Sequence, residues 1–177
     1  GVHLASGSDI GKIRIWEVLP SGEEKILHNG HWEESAEDST ETRGFFIEDD
    51  GGFQKPMEYW IGAMVFTPDA KMLITGSRDN TIRFFEMPTM NELRVVRGHN
   101  GWVRSLVVSP DGKVLISAGD DNTIRFWDIA TGRNFRTDKT HGGAVRGIAL
   151  SPDGLRLASA SWDRTVKLWE GGVEPAE

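Results

Sequence analysis

Short apolar runs separated by turn-forming residues recur along the chain. Runs such as 103–108, 114–117 and 123–127 are four to six residues long, rich in β-branched side chains, and interrupted by Pro-Asp-Gly and Asp-Asn-Thr. Runs of this length between turn formers are typical of β-strands. A helix would need longer segments with apolar residues every three to four positions. The pattern therefore predicts an all-β chain of short antiparallel strands.

The runs repeat with a fixed period. Four segments align without gaps: LASGSDIGKIRIWE from Leu4, LITGSRDNTIRFFE from Leu73, LISAGDDNTIRFWD from Leu115 and LASASWDRTVKLWE from Leu157. The last three start 42 residues apart, and each follows a second matching run: AMVFTPDA (63–70), SLVVSPDG (105–112) and GIALSPDG (147–154). A period of this size indicates a repeat architecture in which each repeat is one supersecondary unit.

These segments resemble the WD-repeat β-propeller family, in which each repeat of about 40 to 45 residues corresponds to one four-stranded blade. His99 precedes Trp127 by 28 positions, and His141 precedes Trp169 by the same 28. The resemblance implies a partial β-propeller of about four blades with strands A to D, named from the ring axis outward. The expected blades are 1–29, 58–97, 100–139 and 142–170, with an acidic inserted loop at 30–57 and a tail at 171–177.

The first and last of these blades are expected to be incomplete. The sequence starts in a B strand, and the Gly/Pro/Glu residues after Trp169 are poor strand formers, so blade four lacks its D strand. About 14 strands are too few for a ring of the usual seven WD-type blades. We favour a segment of a larger ring, because the sequence begins inside a blade. The alternative is self-association of copies that cover the open blade ends.

The family resemblance implies a hydrogen-bonded tetrad in each complete blade. A buried aspartate needs a donor, a histidine nitrogen can supply it, and the other nitrogen can bond a serine hydroxyl that also reaches an indole N–H. The same Ser, His and Asp could instead suggest a catalytic triad. Recurrence in successive repeats favours a structural brace, so we expect no enzymatic activity. The matching residues are His99, Ser117, Asp121 and Trp127, then His141, Ser159, Asp163 and Trp169.

Repeats one and two depart from the tetrad pattern. In repeat two, Phe85 stands in the tryptophan position and Met57 in the histidine position. In repeat one, Ile10 stands in the aspartate position, with Asp9 displaced by one residue. We therefore expect these two blades to be looser, or to be held by packing instead.

In this family, residues at the start of the A strand and beside the B-to-C turn aspartate look out of the top face of the ring. Trp and Arg are enriched in binding hot spots, since each offers a large or rigid contact group. The resemblance thus predicts a protein–protein interaction scaffold that uses this face. Two alternatives are a ligand-sensing propeller segment of a multidomain signalling regulator and a reader of basic peptide tails. The matching residues are Trp60, Arg78, Trp102, Arg104, Asp120, Arg146 and Trp162.

The net charge of -7 is concentrated in one segment. Residues 32–55 contain eight acids and two bases, whereas the rest of the chain has 18 basic and 19 acidic residues. The near balance elsewhere argues against nucleic acid as a partner. The acidic segment could bind a basic partner, or it could be a solvated loop. Its second half, from Phe45 to Phe53, has the composition of a small hairpin, but its acids lack the spacing of a calcium loop.

The remaining composition narrows the class of protein. The sequence has no cysteine, which excludes disulfides and thiolate zinc sites and favours a cytoplasmic or other intracellular location, the nucleus included. No run of 18 apolar residues could cross a membrane. The sequence also lacks a phosphate-binding glycine loop and metal-ligand spacing. We therefore expect neither a cofactor nor a metal.

Overall fold

The computed structural model describes residues 60–171 and, in the preceding part of the chain, the backbone of five strands. Contacts divide the chain into two units, Gly1–Ile61 and Gly62–Glu177, and each is described by itself. The positions of Asp9, Ile10 and Met57, together with residues 32–45 and the tail from 172, lie outside the described residues.

The first unit contains one five-stranded antiparallel sheet in the order β1 to β5. The third strand extends beyond the predicted D strand and includes Gly30 and His31. It pairs with β4 inside the segment predicted as an inserted loop, and β4 pairs with β5 through Glu48 and Phe53. The predicted hairpin is therefore present. The strands are β1 (Val2–Gly7), β2 (Ile13–Val18), β3 (Glu24–His31), β4 (Phe46–Asp49) and β5 (Gly52–Phe53).

The second unit contains three sheets, which we call blades two, three and four. Blade two is β6 (Ile61–Phe66), β7 (Met72–Ser77), β8 (Thr81–Glu86) and β9 (Glu92–Arg97). Blade three is β10 (Val103–Val108), β11 (Val114–Gly119), β12 (Ile124–Asp128) and β13 (Asn134–Asp138). Blade four has three strands, β14 (Val145–Leu150), β15 (Arg156–Ser161) and β16 (Val166–Glu170). This confirms the all-β fold with two complete blades and an incomplete last one.

Pro-Asp-Gly segments form the turns between the first and second strands of blades three and four, and Pro-Asp-Ala forms that turn in blade two. In blade three the Ser109 hydroxyl donates to the Asp111 carboxylate at 2.5 Å, and the same carboxylate accepts the Lys113 backbone N–H at 3.1 Å. Gly112 has a φ of +73°, a conformation that a side chain would strain. The turn residues thus set where each strand begins.

Two apolar layers hold the three blades together. Side chains alternate between the faces of a strand, so on β11 Leu115 lies in one layer and Ile116 in the other. The layer between blades two and three is Ile74, Ile82, Phe84, Val96, Val103, Leu106, Leu115, Trp127 and Ile129. The layer between blades three and four is Val114, Ile116, Ala118, Ile124, Phe126, Val145, Ile148 and Leu157.

Polar contacts also join successive blades. The Ile148 N–H on β14 donates to the Ser105 hydroxyl on β10 at 3.1 Å, so the two inner strands lie side by side. Arg94 on β9 donates to the backbone carbonyls of Ile129 and Ala130 in blade three, at 2.9 and 2.8 Å. This contact links the outer strand of one blade to a turn of the next.

Blade two lacks the tryptophan and histidine of the tetrad pattern but is well packed. Phe85 is buried in the tryptophan position. The Asp79 carboxylate accepts hydrogen bonds from the Thr81 hydroxyl at 2.6 Å and from the Arg83 guanidinium at 3.0 Å. Packing and an ion pair therefore serve in place of the tetrad, in line with the second of the two expectations for this blade.

Blade four leaves one face open. Val166 and Leu168 are equivalent to Ile124 and Phe126 one repeat earlier, which are 2% and 3% exposed in the layer between blades. Val166 and Leu168 are 71% and 76% exposed. The face of β16 that matches an inter-blade layer is thus accessible to solvent.

Candidate functional site

The structure brings together the four tetrad residues of blade three. His99 Nδ1 lies 2.9 Å from the Asp121 carboxylate, and His99 Nε2 lies 2.7 Å from the Ser117 hydroxyl. The Trp127 indole N–H donates to the same hydroxyl at 2.8 Å. Because an ionised carboxylate only accepts, the Nδ1 proton belongs to the bond with Asp121, and the Ser117 O–H can then donate to Nε2. Every polar group in the set has a partner.

Blade four repeats this arrangement. His141 Nδ1 lies 2.7 Å from the Asp163 carboxylate, and His141 Nε2 lies 2.7 Å from the Ser159 hydroxyl. The Trp169 indole N–H donates to that hydroxyl at 3.1 Å, a longer bond than in blade three. Each set joins the loop before the first strand to the turn between the second and third strands.

Hydrogen bonds keep the two tetrad aspartates ionised. Burial alone would raise the pKa of Asp121, but hydrogen bonds from His99, the Asn100 N–H and the Thr123 hydroxyl hold the pKa well below its usual range. The Thr165 hydroxyl has the largest effect on Asp163 and, with His141, lowers the pKa of that carboxyl despite the opposing effect of burial. Both aspartates are therefore acceptors at neutral pH.

The two serines are inaccessible to a substrate. Ser117 is 0% exposed and Ser159 is 1% exposed. A triad serine must attack a carbonyl carbon from an open site. Here each hydroxyl is enclosed and also accepts an indole N–H. The tetrads can thus connect parts of a blade, but these serines cannot act as nucleophiles on an external substrate.

The sequence interpretation missed the threonines that complete the tetrads. The Thr123 hydroxyl donates to Asp121 at 2.8 Å, and the Thr165 hydroxyl donates to Asp163 at 2.6 Å. The signal was present, because Asp-x-Thr recurs at 42-residue intervals at 79–81, 121–123 and 163–165. The threonine is therefore a fifth position of the repeat that supports the tetrad, and its regular spacing could have shown this.

The loop before each first strand and the turn after each second strand are held together at one end of the blades. The Asp120 N–H donates to the Trp102 carbonyl, and the Trp162 N–H donates to the Ala144 carbonyl, both at 2.9 Å. A Cβ on Gly143 would lie 2.9 Å from the Asp163 backbone nitrogen, so glycine permits the close approach. These contacts fix the backbone under the residues predicted to bind a partner.

Six of the seven predicted binding residues form one connected set, which we call the Arg–Trp row. Two guanidinium groups lie over the Trp102 ring, with the Arg78 Cζ 5.0 Å and the Arg104 Cζ 3.6 Å from its centroid. Arg104 also donates two hydrogen bonds to Asp120, at 2.9 and 2.6 Å. The row consists of Arg78, Trp102, Arg104, Asp120, Arg146 and Trp162.

The row continues into blade four through Arg146. Its Nη1 donates to Asp120 at 3.3 Å, and its Cζ lies 4.4 Å from the Trp162 ring centroid. The Arg104 hydrogen bond, followed by the charges of Arg104 and Arg146, lowers the pKa of Asp120, although burial opposes it. The row thus presents three cations, one anion and two indole rings across three blades.

Trp60, the seventh predicted binding residue, lies just before β6 and is 44% exposed. Trp60 in repeat two is equivalent to Trp102 in repeat three. Gly62, however, stands in the position equivalent to Arg104. Repeat two therefore has no arginine at this position to stack on its tryptophan.

Antiparallel sheets of three or four strands, two of which repeat a His-Ser-Asp-Trp hydrogen-bond set, define a class: they are blades of a WD-type propeller. The family model WD40 (WD domain, G-beta repeat) matches residues 55–86, 90–128 and 132–170, which together are more than half of the chain. The chain belongs to the WD40 family. Each of the last two matched repeats starts at the outer strand of one blade and ends in the third strand of the next. The sequence repeat thus links two blades.

Two solved structures are similar to about two thirds of the chain. One, "Structure of U3-55K", is 28% identical with a TM-score of 0.62. The other, "Crystal structure of RRP9 WD40 repeats", is 28% identical with a TM-score of 0.63. In both cases the alignment covers 66% of this chain and 37% of the other. The chain thus matches little more than a third of those proteins.

The search of curated proteins found no match. The part of the chain that the structure describes contains no helix with the length and apolarity needed to span a membrane.

Proposed function

We propose that the chain is a non-enzymatic protein-interaction scaffold and that the Arg–Trp row is its binding surface. WD40 repeat propellers generally mediate protein–protein interactions. The observation that supports this surface is the connected set of two tryptophans and three arginines across three blades. Arg78, Arg146 and Trp162 are exposed, Trp162 at 69%, whereas Trp102 and Arg104 are partly buried.

The row is also ordered before any partner binds. Trp162 is highly exposed, yet its backbone N–H is bonded to Ala144 and its ring is covered on one side by Arg146. Ordering flexible side chains costs free energy on association, so a pre-ordered aromatic group loses less of it. Exposed, rigid Trp and Arg side chains are the types most often found in hot spots.

The alternatives from the sequence rest on other parts of the chain. A basic partner stays a prediction for the acidic segment 30–57. It is not expected at the row, which has three arginines and one aspartate. Three arginines form too small a basic patch for general nucleic-acid binding. The ligand-sensing role stays a prediction that depends on domains beyond these repeats. The intracellular location predicted from the cysteine-free sequence likewise stays a prediction.

The open face of blade four supports a second role, self-association with another copy of the chain. Val166 and Leu168 are exposed at positions where the two preceding repeats bury Ile124 and Phe126, or Ile82 and Phe84. Burial of such side chains stabilises an association by about 25 cal/mol per Å² of apolar surface. In a larger ring, which the sequence favours, the next blade would cover this face. For the 177-residue chain by itself we propose that a second copy covers it.

Partner retention tests the proposed binding surface. The immobilised chain is compared with the double variant Trp162→Ala/Arg146→Gln in a lysate of the source cells, and retained proteins are quantified by mass spectrometry. The matched control is Leu155→Ala/Arg156→Gln, which removes an exposed apolar group and one charge at the other end of β15. We expect the row variant to lose proteins that the control retains. Equal retention by both variants would refute the proposed surface.

A further inference from the structure

Arg104 and Arg146 occupy the same repeat position in blades three and four, 42 residues apart. Asp120 and Trp162 are likewise equivalent. In blade three, Asp120 supplies the carboxylate that Arg104 binds with two hydrogen bonds. In blade four, the equivalent position carries the Trp162 ring, which lies against the Arg146 guanidinium and offers it no acceptor. The carboxylate present in blade three is thus missing in blade four.

The Arg146 guanidinium has unused donors. Within residues 60–171, its hydrogen-bond partner is Asp120, which Nη1 contacts at 3.3 Å, and Nε and Nη2 have no partner there. Asp120 is already bound by both donors of Arg104. Guanidinium groups bind carboxylates through two parallel N–H donors, as Arg104 does here. Arg146 therefore has the donors for one more carboxylate.

The charges around Arg146 favour an anion. The row itself contains three arginines and one aspartate, so it has a net positive charge. The ionised tetrad aspartates, Asp121 and Asp163, are not part of the row and bond His99 and His141. Trp162, which is 69% exposed, gives an apolar surface next to the guanidinium. A ligand with a carboxylate beside an apolar side chain would fit both groups.

From these contacts we propose that the Arg–Trp row binds an acidic peptide segment of a partner protein, with one Asp or Glu carboxylate on Arg146 and an adjacent apolar side chain on Trp162. The inference rests on the proposed function and adds the chemistry of the partner. It differs from the basic partner expected for segment 30–57. The Arg104–Asp120 pair shows within this chain the binding mode that the peptide would reproduce.

The test uses pools of capped octapeptides bound to the immobilised 177-residue chain. One pool has Glu at alternate positions and randomised neutral residues between them, a second has Gln in place of Glu, and a third has phosphoserine. We expect the Glu pool to be retained at least about tenfold better than the Gln pool, since a hydrogen bond to a charged group is lost. Retention should fall at high salt because the groups are partly exposed.

Variants identify the site within the row. Arg146→Gln should lower retention of the Glu pool about tenfold, and Arg146→Lys should restore part of it, because lysine keeps the charge but not the two-donor geometry. Arg156→Gln, which removes an exposed charge at the other end of β15, should retain the pool like the wild type. Equal losses for Arg146→Gln and Arg156→Gln would overturn the assignment to Arg146.

The outcomes also separate this inference from the proposed function. If the Gln pool is retained as well as the Glu pool, or only the phosphoserine pool is retained, the carboxylate proposal is wrong. If no pool is retained but proteins from the lysate still depend on Trp162 and Arg146, the acidic-peptide inference fails and the interaction surface stands. If neither peptides nor proteins depend on the row, both proposals fail.

Discussion

The indole N–H of Trp127 donates a hydrogen bond to the Ser117 hydroxyl at 2.8 Å, across the adjacent strands β12 and β11. The same hydroxyl bonds His99, and all three residues are buried. One small side chain therefore satisfies two larger ones that have no access to water. This makes Ser117 the residue on which the tetrad of blade three depends.

We predict that Ser117→Ala lowers the free energy of unfolding by about 1 to 3 kcal/mol, because it leaves buried groups of Trp127 and His99 without a partner. Urea denaturation with a fixed m-value measures this change. Ser159→Ala should cost less, since the Trp169 bond is longer and Trp169 is only half-buried. An unchanged midpoint for Ser117→Ala would show that the tetrad does not stabilise the blade.

A second prediction concerns acid. The pKa of Asp121 is lower in the folded chain than its ordinary value of 3.8, so the stability it contributes is present above that value and is lost as pH falls through and below it. Asp121→Asn removes this titration. We expect urea midpoints of the wild type to drop more steeply below about pH 4 than those of the variant. Parallel curves would mean that Asp121 is not the acid-sensitive group.

A third prediction concerns the contact between blades two and three. Arg94→Met removes two hydrogen bonds to the Ile129 and Ala130 carbonyls while keeping an aliphatic side chain. We expect the free energy of unfolding measured by urea denaturation to fall by about 1 to 2 kcal/mol, because one of the two bonds is partly buried and the other is exposed. Arg133→Met, at an exposed residue of the same turn, serves as the control. Similar losses for both variants would indicate a general charge effect instead.

Much of the fold could be predicted from the sequence because its signals are local and repeated. Pro-Asp-Gly and Asp-x-Thr turns, alternating apolar residues and the 42-residue period placed the strands of blades two to four. The first unit was harder. The extension of β3 through His31 depends on its pairing with β4, which follows after a long acidic segment.

The candidate site could be predicted only as a set of positions. The sequence indicated which residues share one end of the blades, but not that Asp120 is shared by Arg104 and Arg146. Such contacts depend on how far side chains extend between neighbouring blades. The period of a repeat carries no information on this. Arg94 was missed for the same reason, although Arg136 recurs 42 residues later.

A fourth prediction concerns self-association. If a second copy covers the open face of blade four, Leu168→Glu should lower the average particle mass measured by light scattering at high protein concentration, because a charge would be buried at the contact. Leu93→Glu changes another exposed leucine, on β9, and should leave the mass unchanged. A wild-type chain that stays monomeric at all concentrations would refute this role.

The central claim is that the tetrads stabilise the blades and the Arg–Trp row binds the partner. The most direct measurement is the affinity of one purified partner, by titration calorimetry, for the wild type, Ser117→Ala and Trp162→Ala/Arg146→Gln, all at a temperature where each is folded. We predict wild-type affinity for Ser117→Ala and at least about tenfold weaker binding for the row variant, whose unfolding free energy stays within about 1 kcal/mol of the wild type. Undiminished binding by the folded row variant would contradict the account.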